Sequence, residues 1–351
     1  MTFLNSFEAV SYRGIDGLSF PHLASANLIT GENGVGKTAA LEAMWLFTGR
    51  YNTGLLWNPH VQRSAKPILD PVSRLAKDTL EIRGTEDGSA HSLKAAFQKV
   101  ADIDGPKEIP PVPTPENPFM APPVVACINT ELDEIPPKRE VGGIHGTPWG
   151  SVVFEKPDRP AAKSSCTFLS TRLPVEILNA ALQQYSDMVR AKHKKDFTNA
   201  VNLILPKVND VEILADEFGE PYLSAVTTDE VRLPLYALGG GVVQLSQLFL
   251  GCFTSRGGVL YVDEVENGLH HSVLAEVWSH ARMWMRQWDV QLVATTHSDE
   301  CIRAAMAAFE DAPDELAIHK LYRNAETGRI EVTTFTGEAL EGARDLNLET
   351  R

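Results

Sequence analysis

Cysteine is scarce in this sequence. Cys127, Cys166, Cys252 and Cys301 stand far apart, with neither pairing nor metal-ligand spacing, which excludes a disulfide framework and a cysteine-built zinc site and fits a reducing compartment. Long apolar runs are missing too. No stretch approaches the roughly 18 residues a membrane helix needs, and Met1 to Val10 carries Glu8 but no basic head, so neither a membrane span nor a secretory leader is expected. Positive charge is in deficit: 32 Lys and Arg stand against 46 Asp and Glu, a formal net charge of −14. A chain that coats a nucleic-acid backbone gains its affinity by neutralising phosphates, so DNA contact here has to come from a local patch or a partner. Heptad runs long enough for a coiled coil are also lacking. What remains is a globular chain, expected in the cytoplasm, whose 351 residues can bury one large α/β core plus a lobe, or two modest domains.

What is present concentrates between Ala26 and Gly49. An apolar strand, Asn27 to Thr30, runs into Gly31-Glu32-Asn33-Gly34-Val35-Gly36-Lys37-Thr38, and an apolar-faced helix follows from Thr38 to Phe47, with Leu41, Met44 and Trp45 on one side and Gly49 as its stop. Glycine, four residues, then Gly-Lys-Thr is the spacing of a phosphate-binding loop, and it lies between strand and helix as that loop requires. Gly31, Gly34 and Gly36 permit positive φ, so that consecutive N–H groups through Glu32, Asn33 and Val35 converge on one anion at a helix N-terminus. Lys37 is placed to reach the β- and γ-phosphates and the Thr38 hydroxyl to take one Mg²⁺ position. A nucleoside triphosphate is the expected ligand.

The rest of the chain divides by composition. Residues 1–104 hold the N-terminal strands, the phosphate loop and an antiparallel subdomain, with turns expected at Arg13-Gly14 and Asp16-Gly17, a strand over Thr79 to Arg83, and a helix or strand over Ser92 to Val100. Residues 105–165 form a proline-rich insertion, since the prolines of Gly105 to Pro123 forbid helix and central strand; it reads as a surface loop or a docking peptide, bordered by strands at Val124 to Ile128 and Cys166 to Ser170. Residues 166–235 make a helical lobe and short strands: one or two helices over Pro174 to Val208, then a meander from Pro206 to Leu235 turning at Gly219 and Thr227 to Asp229. Inside that lobe Arg190, Lys192, His193, Lys194 and Lys195 form the most basic run, a solvated face or a patch for DNA or an acidic partner.

Residues 236–351 carry further motifs. Gly239-Gly240-Gly241 stands directly before the apolar stretch Val242 to Leu250, a second place where a helix N-terminus can face an anion. Val259 to Val262 is an apolar strand ending in Asp263-Glu264, at the edge where ligands bind in parallel sheets. Asp263 is expected in the Mg²⁺ shell beside Thr38, and Glu264 to act as general base on a water in line with the γ-phosphate. Gln291 to Thr296 is another apolar strand, with His297 at its tip, placed to bond the γ-phosphate or the attacking water. Leu316 to Phe335 reads as a hairpin turning near Thr327-Gly328, followed by a short helix.

In order and content these motifs resemble the ABC-class ATPase heads of the RecF, SMC-like and OLD type. The likeness covers most of the chain: Ser11 to Ile15 ahead of the loop, Leu238 to Gly241 at the signature position, Val262 to His270 across the Walker B strand and D-loop, and Ala294 to Ser298 at the switch. Glu266-Asn-Gly-Leu-His270 and the run from Thr295 to Ile302 look most like single-chain OLD-like ATPases of bacterial anti-phage systems, particularly those of PARIS type. The resemblance implies a P-loop NTPase of ABC-ATPase head type, a mainly parallel core sheet with an antiparallel β subdomain and an inserted helical lobe, binding and hydrolysing ATP with Mg²⁺. It implies a homodimer or higher homo-oligomer, in which Gly239, Gly240 and Gly241 of one copy close on ATP held by another, and in which Arg13 approaches the phosphates. Gly239 replaces the usual signature serine, and either Gln62 or Gln98 would supply the Q-loop. With Arg351 following the switch so soon, a Toprim nuclease is expected on a separate effector chain rather than on this one. The role implied is a sensor and scaffold in phage defence, the alternatives being a RecF-like repair ATPase and a non-hydrolysing nucleotide-gated scaffold.

Overall fold

Leu4–Tyr12 (β1) alternates buried and half-buried residues and turns back through Arg13-Gly14 into Ile15–Phe20 (β2). Both turn residues have positive φ, 47° and 80°, and Tyr12 pairs with Ile15, so the connection is a two-residue reversal of the primed type that suits the twist of a hairpin. Asp16-Gly17, expected as a second turn, instead lies within β2 with Asp16 paired to Ser11, because the chain has already reversed. The computed structural model describes residues 3–50, 79–99, 124–132, 135–144, 165–169, 176–337 and 339–340. The proline-rich stretch from Gly105 to Pro123 and Gln62 lie outside them.

Ala26–Gly31 (β3) is buried along its whole length and feeds Lys37–Thr48 (α1), a helix buried on nearly every side. A helix apolar all round has to lie between layers, and α1 does so, with β1 and Thr79–Glu86 (β4) on one side and the core sheet on the other. Its far end is tied to both. Arg50 forms a buried ion pair with Glu86 at 2.6 Å, and the Thr48 hydroxyl lies 2.5 Å from the Tyr261 hydroxyl of the core.

Ser89–Lys99 (β5) is strand rather than helix, and with Val124–Leu132 (β6) and Ile135–Ile144 (β7) it extends an antiparallel sheet in the order β2-β1-β4-β5-β6-β7. Cys166–Leu169 (β8) leads toward the helices Glu176–Arg190 (α2) and Lys194–Asn202 (α3). The meander follows as Val208–Ala215 (β9), Pro221–Thr227 (β10) and Arg232–Pro234 (β11), a small antiparallel sheet of its own. Gly240–Thr254 (α4), Val259–Val262 (β12), His271–Trp288 (α5), Gln291–Thr295 (β13), Asp299–Ala308 (α6), Leu316–Arg323 (β14) and Ile330–Thr336 (β15) complete the described chain.

The core sheet runs β15-β14-β3-β13-β12-β8, with every neighbouring pair parallel except the β14/β15 hairpin. Parallel strands in one sheet bring the carboxyl ends of β3, β12 and β13 to a single edge, the edge at which such sheets bind ligands. Buried polar bonds lock the register toward the opposite, amino ends of β3 and β13. The Asn27 side chain donates to the carbonyls of Ala24 and Leu292, and its oxygen accepts the Ala24 N–H and faces His319 Nε2 at 3.2 Å.

Candidate nucleotide site

The phosphate loop takes the shape its glycines allow. Gly31, Gly34 and Gly36 have φ of 139°, 79° and 112°. Gly31 is required twice over, because a Cβ there would also lie 2.2 Å from the Leu321 carbonyl oxygen on β14. Glu32, Asn33 and Gly34 form the exposed crest, while Val35 is buried beneath it. Gly36 caps α1, whose first turn contains no acidic side chain to compete with an anion.

Lys37 opens the helix, buried, with Nζ donating to the carbonyls of Gly31 and Glu32 at 2.7 and 2.8 Å. Burial pulls its pKa down, and the carboxylates of Asp263, Glu264 and Glu266 act in the opposite sense. A positive charge drawn from water and faced by three acids stays available to a polyanion. One residue on, the Thr38 hydroxyl lies 3.1 and 3.2 Å from the two Asp263 oxygens. Mg²⁺ is held through one or two carboxylates plus substrate phosphates, and this hydroxyl and carboxylate, converging beside an anion loop, fit that donor set.

From the other side, Thr295 at the tip of β13 ties the acidic turn together. Its hydroxyl donates to Asp263 Oδ1 at 2.7 Å and accepts the Glu264 N–H at 2.8 Å. Glu264 has φ of 53°, a left-handed conformation uncommon for a residue with a side chain. Its carboxylate lies 3.8 Å from His297 Nε2, both groups being partly exposed. The His297 N–H donates to Glu266 Oε1 at 2.7 Å, so the acidic turn also fixes the backbone of the switch histidine. Lys37, Thr38, Asp263, Glu264 and His297 therefore gather at one edge, from three strand ends. Thr295 and Glu266 join them; both lie inside the runs singled out in the sequence, which gave them no role of their own, and the signal available for Thr295 is its place beside a histidine at a strand tip.

Other expected residues have contacts of their own. Arg13 donates to Glu42 Oε2 on α1 at 2.8 Å, sharing that oxygen with the Tyr12 hydroxyl. Gln98 belongs to β5 in the antiparallel sheet, paired with Cys127. Gly239 caps α4, and Gly240 and Gly241 open it and pack on the turn at Gly268: a Cβ at Gly241 would lie 2.7 Å from the Gly268 oxygen, and one at Gly268 2.7 Å from the Gly240 carbonyl carbon. Gly239 and Gly240 are exposed. In the basic run, Arg190 pairs with Asp187, His193 with Asp196 and Lys194 with Asp210, so much of its charge is matched locally. Burial raises the thiols of Cys166, Cys252 and Cys301 to about 12, which makes them inert.

A family described as "AAA domain, putative AbiEii toxin, Type IV TA system" matches residues 26–303, from β3 through the phosphate loop, Asp263-Glu264 and His297 into α6. The chain belongs to that family. This AAA-domain chain is thus an ATP-binding P-loop protein of the AAA/ABC ATPase class. Its fold is that of an SMC head: a solved SmcHead bound to the C-winged helix domain of ScpA aligns over 97% of this chain and 100% of its own, at 13% identity and a TM-score of 0.51. The SMC head domain from Thermotoga maritima aligns over 95% and 98% at 13% identity with a TM-score of 0.44. No protein with a curated description matches the sequence. Among the described residues no helix is long and apolar enough to cross a membrane.

Proposed function

We propose that this chain binds ATP with Mg²⁺ at the Lys37 loop, hydrolyses it slowly, and works as a nucleotide-gated sensor and scaffold for a separate effector, a nuclease of Toprim type, in phage defence. The observation that carries the catalytic part is the run of contacts Thr38, Asp263, Thr295, Glu264, His297 across one sheet edge. The loop N–H groups and Lys37 bind the phosphates, Thr38 and Asp263 supply oxygen ligands to the cation, and Glu264 accepts a proton from the attacking water. Mg²⁺ in that position neutralises charge on the β- and γ-phosphates. His297, next to Glu264, orients the water or the γ-phosphate. Arg13, tied to Glu42 on α1, approaches the phosphates.

The exposed triplet supports pairing of two copies. Gly239, Gly240 and Gly241 offer backbone donors at a helix start, the first two exposed and the last two packed on Gly268, so they suit a triphosphate held by another protomer. The defence role rests on the OLD-like and PARIS-like run from Glu266 to His270. In the test, Glu264→Gln keeps ATP binding and ATP-dependent pairing, seen by light scattering, while phosphate release falls away. Normal release from that variant removes Glu264 as the base. Gly239 in place of a signature hydroxyl favours a second reading, a scaffold that pairs on ATP without turnover. ATP-dependent pairing without phosphate release from the unaltered protein selects it. A RecF-like repair role requires salt-dependent DNA binding, against which the net charge and the matched basic run both stand.

A further inference from the structure

Thr295 is buried, sits on the switch strand rather than on the acidic turn, and makes two short hydrogen bonds in opposite senses. A hydroxyl has one proton to give. The Glu264 N–H already points at its oxygen, so that proton is directed to Asp263 Oδ1, the same oxygen that faces the Thr38 hydroxyl. The bond therefore fixes the plane of the Asp263 carboxylate toward Thr38. At the same time it holds the backbone of Glu264 in the left-handed conformation that sends the carboxylate toward His297.

We propose that Thr295 is a positioning residue that sets the Mg²⁺ ligand Asp263 and the base Glu264 together through one hydroxyl, so that cation binding and water activation depend on the same side chain. The proposal rests on the function given above for Asp263 and Glu264. The backbone of Thr295 acts independently of its hydroxyl, since the carbonyl accepts the Val265 N–H at 3.1 Å and β13 pairs with β3 and β12. Removing the hydroxyl alone thus leaves the strand and the turn attached.

The experiment compares Thr295→Val, which keeps shape and loses the hydroxyl, with Thr295→Ser, which keeps the hydroxyl. Binding of a non-hydrolysable ATP analogue is measured by calorimetry with and without Mg²⁺, beside kcat and KM for ATP. In Thr295→Val the affinity gained on adding Mg²⁺ is expected to shrink by about 10- to 100-fold, the range for residues that orient metal ligands. Metal-free binding stays as in the unaltered protein, and the rate loss falls on kcat rather than KM. Thr295→Ser restores both. Should Thr295→Val fail to fold, Thr295→Ala is read against Thr295→Ser in the same way. Mg²⁺ dependence retained by the valine and alanine variants, or no rescue by serine, overturns the proposal. If the unaltered protein releases no phosphate, hydrolysis is lost from the function, while Mg²⁺-dependent binding still decides on Thr295.

Discussion

Two helices in this protein start from glycine-rich loops, α1 after Gly36 and α4 after Gly239, and they have opposite surroundings. At α1 the first residue is a buried lysine, the second a hydroxyl on a carboxylate, and the acidic turn and the switch strand close around them. At α4 the first two residues are glycines with no ionisable side chain, Gly240 exposed and Gly241 half-buried, seated on the backbone of Gly268. Both present free N–H groups and a helix dipole. The contrast teaches that backbone donors make an anion-tolerant surface, whereas converging charge and hydroxyl groups make a site. Under the proposed function, the second start holds a triphosphate only together with the first one of another copy.

The largest effect is expected at the base, which only the α1 site possesses. Glu264→Gln is expected to lower phosphate release by about 10²- to 10⁴-fold with nucleotide affinity unchanged, the usual weight of a general base. Next comes Lys37→Ala. Loss of charge-assisted bonds to phosphate should weaken ATP about 100-fold, whereas Gly240→Asp at the other helix start should leave protomer affinity intact and abolish only ATP-dependent pairing, as calorimetry and light scattering will report. Equal loss of affinity in both variants would erase the distinction drawn above.

Gly268→Ala sharpens it. A Cβ there has φ of 73° against it and meets the Gly240 backbone at 2.7 Å. Thermal unfolding should show a cost of about 2 kcal/mol, with pairing weakened more than nucleotide binding. A smaller effect concerns the sheet beneath the phosphate loop. His319, fully buried between Asn27 and Thr334, has its pKa pushed down to about 3, first by burial and then by His22. Because Asn27 directs its oxygen at Nε2, that nitrogen carries the proton and Nδ1 accepts from Thr334. Unfolded histidine titrates near 6.5, so between that pH and about 3 the unfolded chain binds the extra proton and stability falls as pH drops. The slope should be about 1.4 kcal/mol per pH unit, and flatter in His319→Gln by denaturant melts at stepped pH. The smallest change is expected from charge reversal at Lys192, Lys194 and Lys195: with Lys194 held by Asp210, DNA binding in a salt titration should hardly move.

Much of the site was legible because its residues occur in runs. Gly31 to Thr38 and Val259 to Glu264 each place strand, turn and functional side chain within a few positions, so local spacing already implies their geometry. The pairings of Arg13 with Glu42, Lys194 with Asp210 and His319 with Asn27 were not legible, since partners 16 to 292 residues apart meet only after the layers pack. Thr295 belongs to the same class. Its role comes from lying across from a turn 31 residues earlier, a neighbour that strand periodicity does not disclose.

By itself the sequence determined the phosphate loop, the buried parallel strands and the acidic and histidine tips, since each follows from side-chain type and spacing along a short stretch. The folded chain alone decided which groups share a proton, which charges are already matched, and that the two glycine-led helices face different surroundings. Hydrogen bonds and burial act between surfaces that only packing brings within reach, and a linear pattern holds no record of that distance.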